Sequence, residues 1–112
     1  MVNSDGMKIG SDEMTKKLPP LHPGEVLREE FLVPLEMSPG KLAKVMDVPR
    51  TRVERIVNEQ SAITATSALL LGKALNTTPQ FWLNLQNSYD VAVATKEIGK
   101  KIERIQPVRA VA

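Results

Sequence analysis

The sequence predicts an all-α protein of five helices, and three observations support this prediction. Apolar residues recur at helical spacing through most of the chain, and no segment carries a firm strand pattern. A cap residue followed directly by proline occurs at Ser38-Pro39 and again at Thr78-Pro79, which is typical of helix starts. The connections between these segments are short, as in compact helical domains. At 112 residues and 42 % hydrophobic composition, the chain suits one domain.

The first three helices follow from local signals. The motif HPG at residues 22–24 opens the first helix, because proline suits a first helical turn, and Pro34 ends it. The second helix begins at Ser38. A break of about three residues, 47–49, separates it from the third, whose sequence is RTRVERIVN.

The fourth and fifth helices occupy the second half of the chain. Thr64 caps the fourth, whose run ATSALLLGKALN is apolar on nearly every side, so we expect it to be the central helix of the core. Asn76 closes it. The fifth helix runs from Pro79 to about residue 95. Beyond Gly99 the pattern fits a strand or a frayed helix, and the sequence leaves both open.

Three segments follow from this pattern. Residues 1–21 have no apolar period, so we expect a flexible leader. Residues 22–95 form a helix-turn-helix domain, and residues 96–112 form a short C-terminal extension that is a candidate for dimer formation.

Composition argues against several classes of protein. There is no cysteine, so neither a disulfide framework nor a Cys-based zinc site is available. No apolar run approaches the roughly 20 residues of a membrane span, and the N-terminus lacks the apolar centre of a signal peptide. We therefore expect a soluble, cytoplasmic protein with no membrane association, no metal and no cofactor.

No set of residues predicts catalysis. His22 is the only histidine, and with no cysteine or second histidine to act with, it is expected to be a helix cap or a surface group. Glu29 and Glu30 are adjacent on a helix and point in different directions, so they make a poor acid–base pair. Trp82 and Tyr89 could stack on bases, but at helical spacing they are expected in the core. We expect no catalytic residue and no enzyme activity.

Positive charge is concentrated in the two middle helices. Residues 41–55 hold five Lys/Arg and two Asp/Glu, a balance of +3, although ordinary solvated helix faces also carry such charge. Two short helices joined by about three residues, the second with basic and hydroxyl side chains at its start, form a helix-turn-helix pattern. Ala43 lies where the helices cross, and Val53 holds the second on the domain. The side chains turned away from the core are then Arg50, Thr51, Arg52, Glu54 and Arg55.

This pattern predicts double-stranded DNA as a partner. A recognition helix enters the major groove by its N-terminal residues, where arginine pairs with guanine. Lys41, Lys44 and the amide groups at the start of the second helix can hold phosphates.

Three segments carry a family resemblance. LAKVMDVPRTRVERIVN resembles the helix-turn-helix of the lambda-repressor-like, or XRE-type, proteins. HPGEVLREEFL and TTPQFWLNLQNSYD resemble the HigA-type antitoxins, also called the VapI-like group, and PQFWLNLQ is the most specific part. The resemblance covers about residues 21–105. It implies a five-helix DNA-binding antitoxin that neutralises a HigB-type, mRNA-cleaving toxin and represses its own operon as a homodimer.

The resemblance also implies roles for single residues. The base-reading positions of the recognition helix are matched by Arg50, Thr51 and Arg55. Ser38 and Pro39 match the phosphate-contacting start of the preceding helix, and Arg52 faces the DNA backbone or neighbouring bases. The chain departs from the family at Asp47, where a turn glycine is usual, and at Pro49, where a Ser or Thr cap is usual.

Two questions stay open at this level. The fifth helix carries a second apolar sector, Leu83, Val91 and Ile98, which is a dimer interface or is covered by the chain's own tail. The acidic cluster of the first helix is a surface for a basic toxin or simply a solvated face, and it comprises Glu25, Glu29, Glu30 and Glu36. The alternatives to an antitoxin are a solitary XRE-type regulator and a helical protein-interaction module without a toxin partner.

Overall fold

The computed structural model describes residues 19–108, and five helices account for the regular structure in that range. Helix α1 begins as Pro23–Val26 and continues without a break as the π-helical segment Leu27–Leu32. The others are α2 (Pro39–Met46), α3 (Arg50–Val57), α4 (Ala65–Leu75) and α5 (Pro79–Arg104). The all-α, five-helix prediction is confirmed. The predicted leader lies almost wholly outside the described residues.

Side-chain caps start the helices where the sequence places them. Ser38, Thr64 and Thr78 each accept, at 3.1 Å, a hydrogen bond from the backbone N–H three residues further on. His22 starts α1 in a related way, since its Nδ1 accepts from the backbone N–H of Gly24 at 2.8 Å. A cap of this kind contributes about 1 kcal/mol. The predictions of all four helix starts are therefore confirmed, with His22 as a cap rather than a surface group.

The π-helical segment of α1 was not predicted. The Val33 N–H donates to the Arg28 carbonyl at 3.0 Å, five residues back instead of four. In this wider turn, residues five apart lie nearly above one another, so Leu27 and Leu32 face the core together and both are buried. An ordinary α-helix would rotate one of them away.

The core lies between helices that pack in pairs: α2 on α3, α4 on α5, and α2 on α4, while α1 packs on both α3 and α5. Its largest fully buried side chains are Trp82, Leu27, Leu42, Ile56, Leu71 and Val53. The prediction that Trp82 belongs to the core is confirmed, and its indole N–H donates to the Thr77 hydroxyl at 2.8 Å. Helix α4 is buried on one side only. Leu71 is buried, but Leu69 is exposed, so the expectation that α4 is the buried central helix of the core was wrong for this outer side.

Helix α5 extends well beyond the predicted end. It continues to Arg104, with non-helical backbone angles at Ile98. The strand alternative is thereby excluded for residues 99–104. Between residues 94 and 108 every residue except Gly99 is exposed, so the last third of α5 projects beyond the core. None of the helices in the described range is long and apolar enough to cross a membrane.

Candidate nucleic-acid interface

A tight turn sets the angle between α2 and α3. Asp47 adopts the left-handed conformation with φ 58° and ψ 49°, and its N–H donates to the Lys44 carbonyl at 3.1 Å. The Val48 N–H follows with a bond to the Ala43 carbonyl at 3.0 Å. Ala43 is buried beside this turn, where a larger side chain would separate the helices. Asp tolerates the left-handed conformation better than most residues, which explains how the turn forms with Asp47 instead of a glycine.

The charges at the start of α3 are unfavourable for the helix itself. Pro49 occupies the cap position and makes no side-chain capping bond. The first turn contains no acidic residue, although the partial positive charge of a helix N-terminus favours one. Arg50 is instead the first helical residue, and Arg52 follows. Arg50 and Arg52 slightly destabilise their own helix. This placement indicates that their charges serve a function outside the helix.

The predicted base-reading residues share the outward side of α3. Arg50, Thr51 and Arg55 are exposed, while the opposite side of the helix is buried through Val53 and Ile56. The Arg50 side chain is 70 % exposed. Within the described residues, no carboxylate lies within salt-bridge distance of Arg55. These cations can therefore meet an anion without losing a buried partner.

One groove joins Arg50 and Thr51 to the predicted phosphate contacts. The α2–α3 groove is lined by Ser38, Gly40, Lys41, Ala43, Lys44, Val48, Pro49, Arg50 and Thr51. Lys41 and Lys44 are exposed along its α2 side. Arg55 lies outside this groove and lines a second one, which also includes Thr51. Pro39 lies at the start of α2 but does not line the groove.

Arg52 differs from its neighbours. It is only half-exposed, and its Nη2 donates to the Ser67 hydroxyl at 3.3 Å. Ser67 is itself bonded to the Thr64 hydroxyl at 3.2 Å. Arg52 thus links α3 to the start of α4, and a second groove on this side includes Ser61, Thr64 and Ser67. The sequence analysis did not include these hydroxyls among the candidate site residues, although the segment EQSAITATS is rich in Ser and Thr.

Gly40 is the other residue that sequence reasoning missed. A Cβ atom at this position would lie 3.0 Å from Cδ of Arg50, which is tighter than an ordinary contact. The absent side chain lets the Arg50 stem lie across the start of α2. Nothing in the sequence signals this contact, because it depends on the angle between two helices.

The predicted dimer residues fall into two groups. Leu83 is half-buried and packs against the chain's own core. Val91 and Ile98 are 64 % and 47 % exposed. Ile102 near the end of α5 and Ile105 just after it are also exposed, although the backbone departs from helical angles at Ile98. Val91, Ile98, Ile102 and Ile105 thus form an exposed apolar stripe, and Leu83 is separate from it.

Several known proteins resemble this chain in sequence and in structure. No family model matches the chain. It is 43 % identical to "Virulence-associated protein I" of Dichelobacter nodosus over 81 residues, which are 72 % of this chain and 75 % of that protein. It is 34 % identical to "Antitoxin HigA-1" of Vibrio cholerae, covering 80 % of this chain and 84 % of that protein. Among solved structures, "Pseudomonas aeruginosa antitoxin HigA with higBA promoter" superposes with a TM-score of 0.76 at 44 % identity, covering 80 % of this chain and 99 % of that one.

Proposed function

Because the chain belongs to the HigA-type antitoxin family of helix-turn-helix proteins, we propose that it is a DNA-binding repressor of its own operon and the antitoxin of a HigB-type toxin. One observation carries the DNA-binding part. Lys41, Lys44 and Arg50 line one exposed groove, Arg52 and Arg55 line a second groove on α3, and the opposite side of α3 is buried and apolar. A protein of this kind reads DNA and needs no catalytic residue or cofactor.

The proposed binding mode assigns one role to each helix. Helix α3 enters the major groove by its first turn, so that Arg50 and Thr51 meet base edges and Arg55 follows one turn later. Each arginine paired bidentately with guanine discriminates by about 1–3 kcal/mol. Lys41 and Lys44 hold the phosphates beside the groove, and the Gly40 N–H at the start of α2 adds a contact to the DNA backbone.

We assign the active form as a homodimer. One recognition helix offers few base contacts, and a two-fold protein places two of them about 34 Å apart, one turn of DNA. The exposed apolar stripe of Val91, Ile98, Ile102 and Ile105 supports this assembly. Leu83 contributes mainly to the core of its own protomer.

The toxin partner is proposed from the family. The relative named "Antitoxin HigA-1" is by its name an antitoxin, which implies a toxin partner. The match with this chain covers 84 % of that relative. We propose that the present chain binds a HigB-type toxin through a surface other than the α2–α3 groove, so that both partners can be held together. Since an operator and a messenger RNA are both cytoplasmic targets, we place the protein in the cytoplasm.

A pair of charge-reversal variants tests the proposal. Arg50→Glu with Arg55→Glu should abolish repression of a reporter fused to the DNA upstream of the gene, because two cations of the recognition helix become anions. Lys96→Glu with Lys100→Glu makes the same change in net charge on the projecting part of α5, and it should leave repression intact.

The same variants separate the two partners. A co-expressed HigB-type toxin should co-purify with both double variants if toxin and DNA use different surfaces. Repression that survives the arginine reversal would contradict the DNA-binding assignment. Loss of the toxin from the arginine variant alone would contradict the separate toxin surface.

A further inference from the structure

Glu54 is an acidic side chain on a helix proposed to enter DNA. Its Oε2 lies 3.2 Å from Nε of Arg50, and its side chain is 41 % exposed. A carboxylate at this position repels phosphates and weakens binding to any duplex. Stability does not account for it, since exposed pairs contribute little and the order Arg then Glu is the weaker one for a helix. The geometry of Arg50 suggests another role.

Arg50 is held at two points. Its Cδ and Cγ lie across Gly40, where a Cβ would meet them at 3.0 and 3.5 Å. Its Nε lies 3.2 Å from Oε2 of Glu54, an ion pair with the residue one turn further along α3. The carboxylate lies beside Nε, and no carboxylate among residues 19–108 pairs with the two Nη groups. The parallel N–H bonds of these groups form the fork that guanine O6 and N7 accept. A side chain ordered before binding loses less conformational freedom when it meets its base.

We infer that Glu54 is a positioning residue that holds Arg50 in its base-reading orientation, so that sequence preference depends on this carboxylate. The inference rests on the proposed function, since it names the residue on which specificity of the same site depends. Glu54 acts through Arg50 and makes no contact of its own with DNA. Binding to operator and to unrelated DNA should therefore respond to its removal in opposite directions.

Fluorescence-anisotropy titration of the full chain against two duplexes tests this inference. One duplex carries the DNA upstream of the gene, and the other carries the same bases scrambled. Glu54→Ala should strengthen binding to the scrambled duplex, because a repulsive charge is removed, and lower the preference for the upstream duplex about tenfold. Glu54→Gln retains the side-chain length and an acceptor oxygen, so it should keep the preference within about threefold of the native value.

Two further variants isolate the cause. In an Arg50→Ala background, Glu54→Ala should leave the preference unchanged, since the residue through which it acts is gone. Glu97→Ala removes one exposed acidic charge from α5 and should leave both affinities unchanged. Circular dichroism checks that each variant is folded.

The outcomes separate the two proposals. A native protein that binds both duplexes equally would contradict the proposed function and this inference with it. A native preference that Glu54→Ala preserves, or a rise in affinity for both duplexes alike, would contradict the inference alone. A loss of preference that persists in the Arg50→Ala background would assign Glu54 a direct contact with DNA instead.

Discussion

His22 joins the start of α1 to the middle of α5. Its Nδ1 accepts the Gly24 N–H, and its ring meets the Tyr89 ring edge-on with the centroids 4.8 Å apart. Only an unprotonated Nδ1 can accept that bond. Burial lowers the pKa of His22 below its ordinary value of 6.5, although the nearby Glu59 and Asp90 carboxylates oppose the shift. The folded protein therefore favours the neutral ring.

This arrangement predicts a pH dependence of stability. Because the folded pKa of His22 is lowered, the unfolded chain takes up the proton first as the pH falls. The free energy of unfolding should be fully retained above about pH 6.5 and should decrease as the pH falls from there toward the folded pKa. Urea unfolding between pH 7.5 and 5.5 measures the decrease.

His22→Asn is the matched control for that titration. Asparagine also caps helices well but does not titrate, so this variant should show a smaller change in stability over the same range. The chain has a single histidine, so one imidazole NMR signal reports its folded-state pKa directly. A titration midpoint above 6.5 would contradict the assignment.

Single residues were predictable where the signal is local. The caps at Ser38, Thr64 and Thr78 follow from residue type and the position of the next proline or apolar run. The ion pair between Arg50 and Glu54 could not be predicted, because an exposed arginine can point along its helix or into solvent. Which of these it does depends on Gly40 in the neighbouring helix.

Close approach between elements holds α1 against α3. A Cβ on Gly24 would lie 1.9 Å from the backbone oxygen of Ile56, well inside contact distance. Gly24→Ala should therefore separate the two helices and lower the free energy of unfolding by about 1–3 kcal/mol. Chemical denaturation of the purified variant measures the loss.

Gly99 offers the matched control for the same substitution. A Cβ there would meet nothing within 4 Å. Gly99→Ala should leave stability unchanged or raise it by up to about 1 kcal/mol, because alanine favours a helix. Equal effects of the two substitutions would mean that the contact at Gly24 is not close.

Elements were predicted well at their starts and less well elsewhere. The sequence places the end of α5 near residue 95 because Gly99 reads as a breaker, yet the helix continues to Arg104. Glu97 and Lys101 lie four residues apart, a spacing that supports a helix despite the glycine. The π-turn of α1 has no sequence signal, since it depends on how Leu27 and Leu32 meet the core together.

At the scale of the whole molecule, two surfaces on different elements are expected to act together. The α2–α3 groove is proposed to bind DNA, and the projecting part of α5 is proposed to set the distance between two such grooves. The sequence places the basic side chains on the outward side of α3 because the helix-turn-helix spacing is local. It groups Leu83 with Val91 and Ile98, whereas the structure packs Leu83 on the core, since helical period alone does not show which sector meets the core.

Disrupting the α5 stripe should therefore weaken DNA binding from a distance. Val91→Asp with Ile98→Asp places two charges in an apolar interface, so sedimentation equilibrium at micromolar concentration should show a monomer. Affinity for the upstream DNA should fall at least about tenfold, because one half-site is lost.

Exposed apolar residues on another element provide the comparison. Val33→Asp with Leu35→Asp makes the same chemical change just after α1 and should leave the protein a dimer. A native protein that sediments as a monomer would contradict the proposed assembly. So would a double α5 variant that remains a dimer.

The DNA-binding role of the α2–α3 groove can be tested by fluorescence anisotropy with the DNA upstream of the gene and a scrambled duplex, repeated at several salt concentrations. We expect a preference of at least about a thousandfold for the upstream DNA, with affinity that falls steeply as salt rises. Equal, weak binding to both duplexes would contradict it and would leave α3 as a charged surface without a reading function.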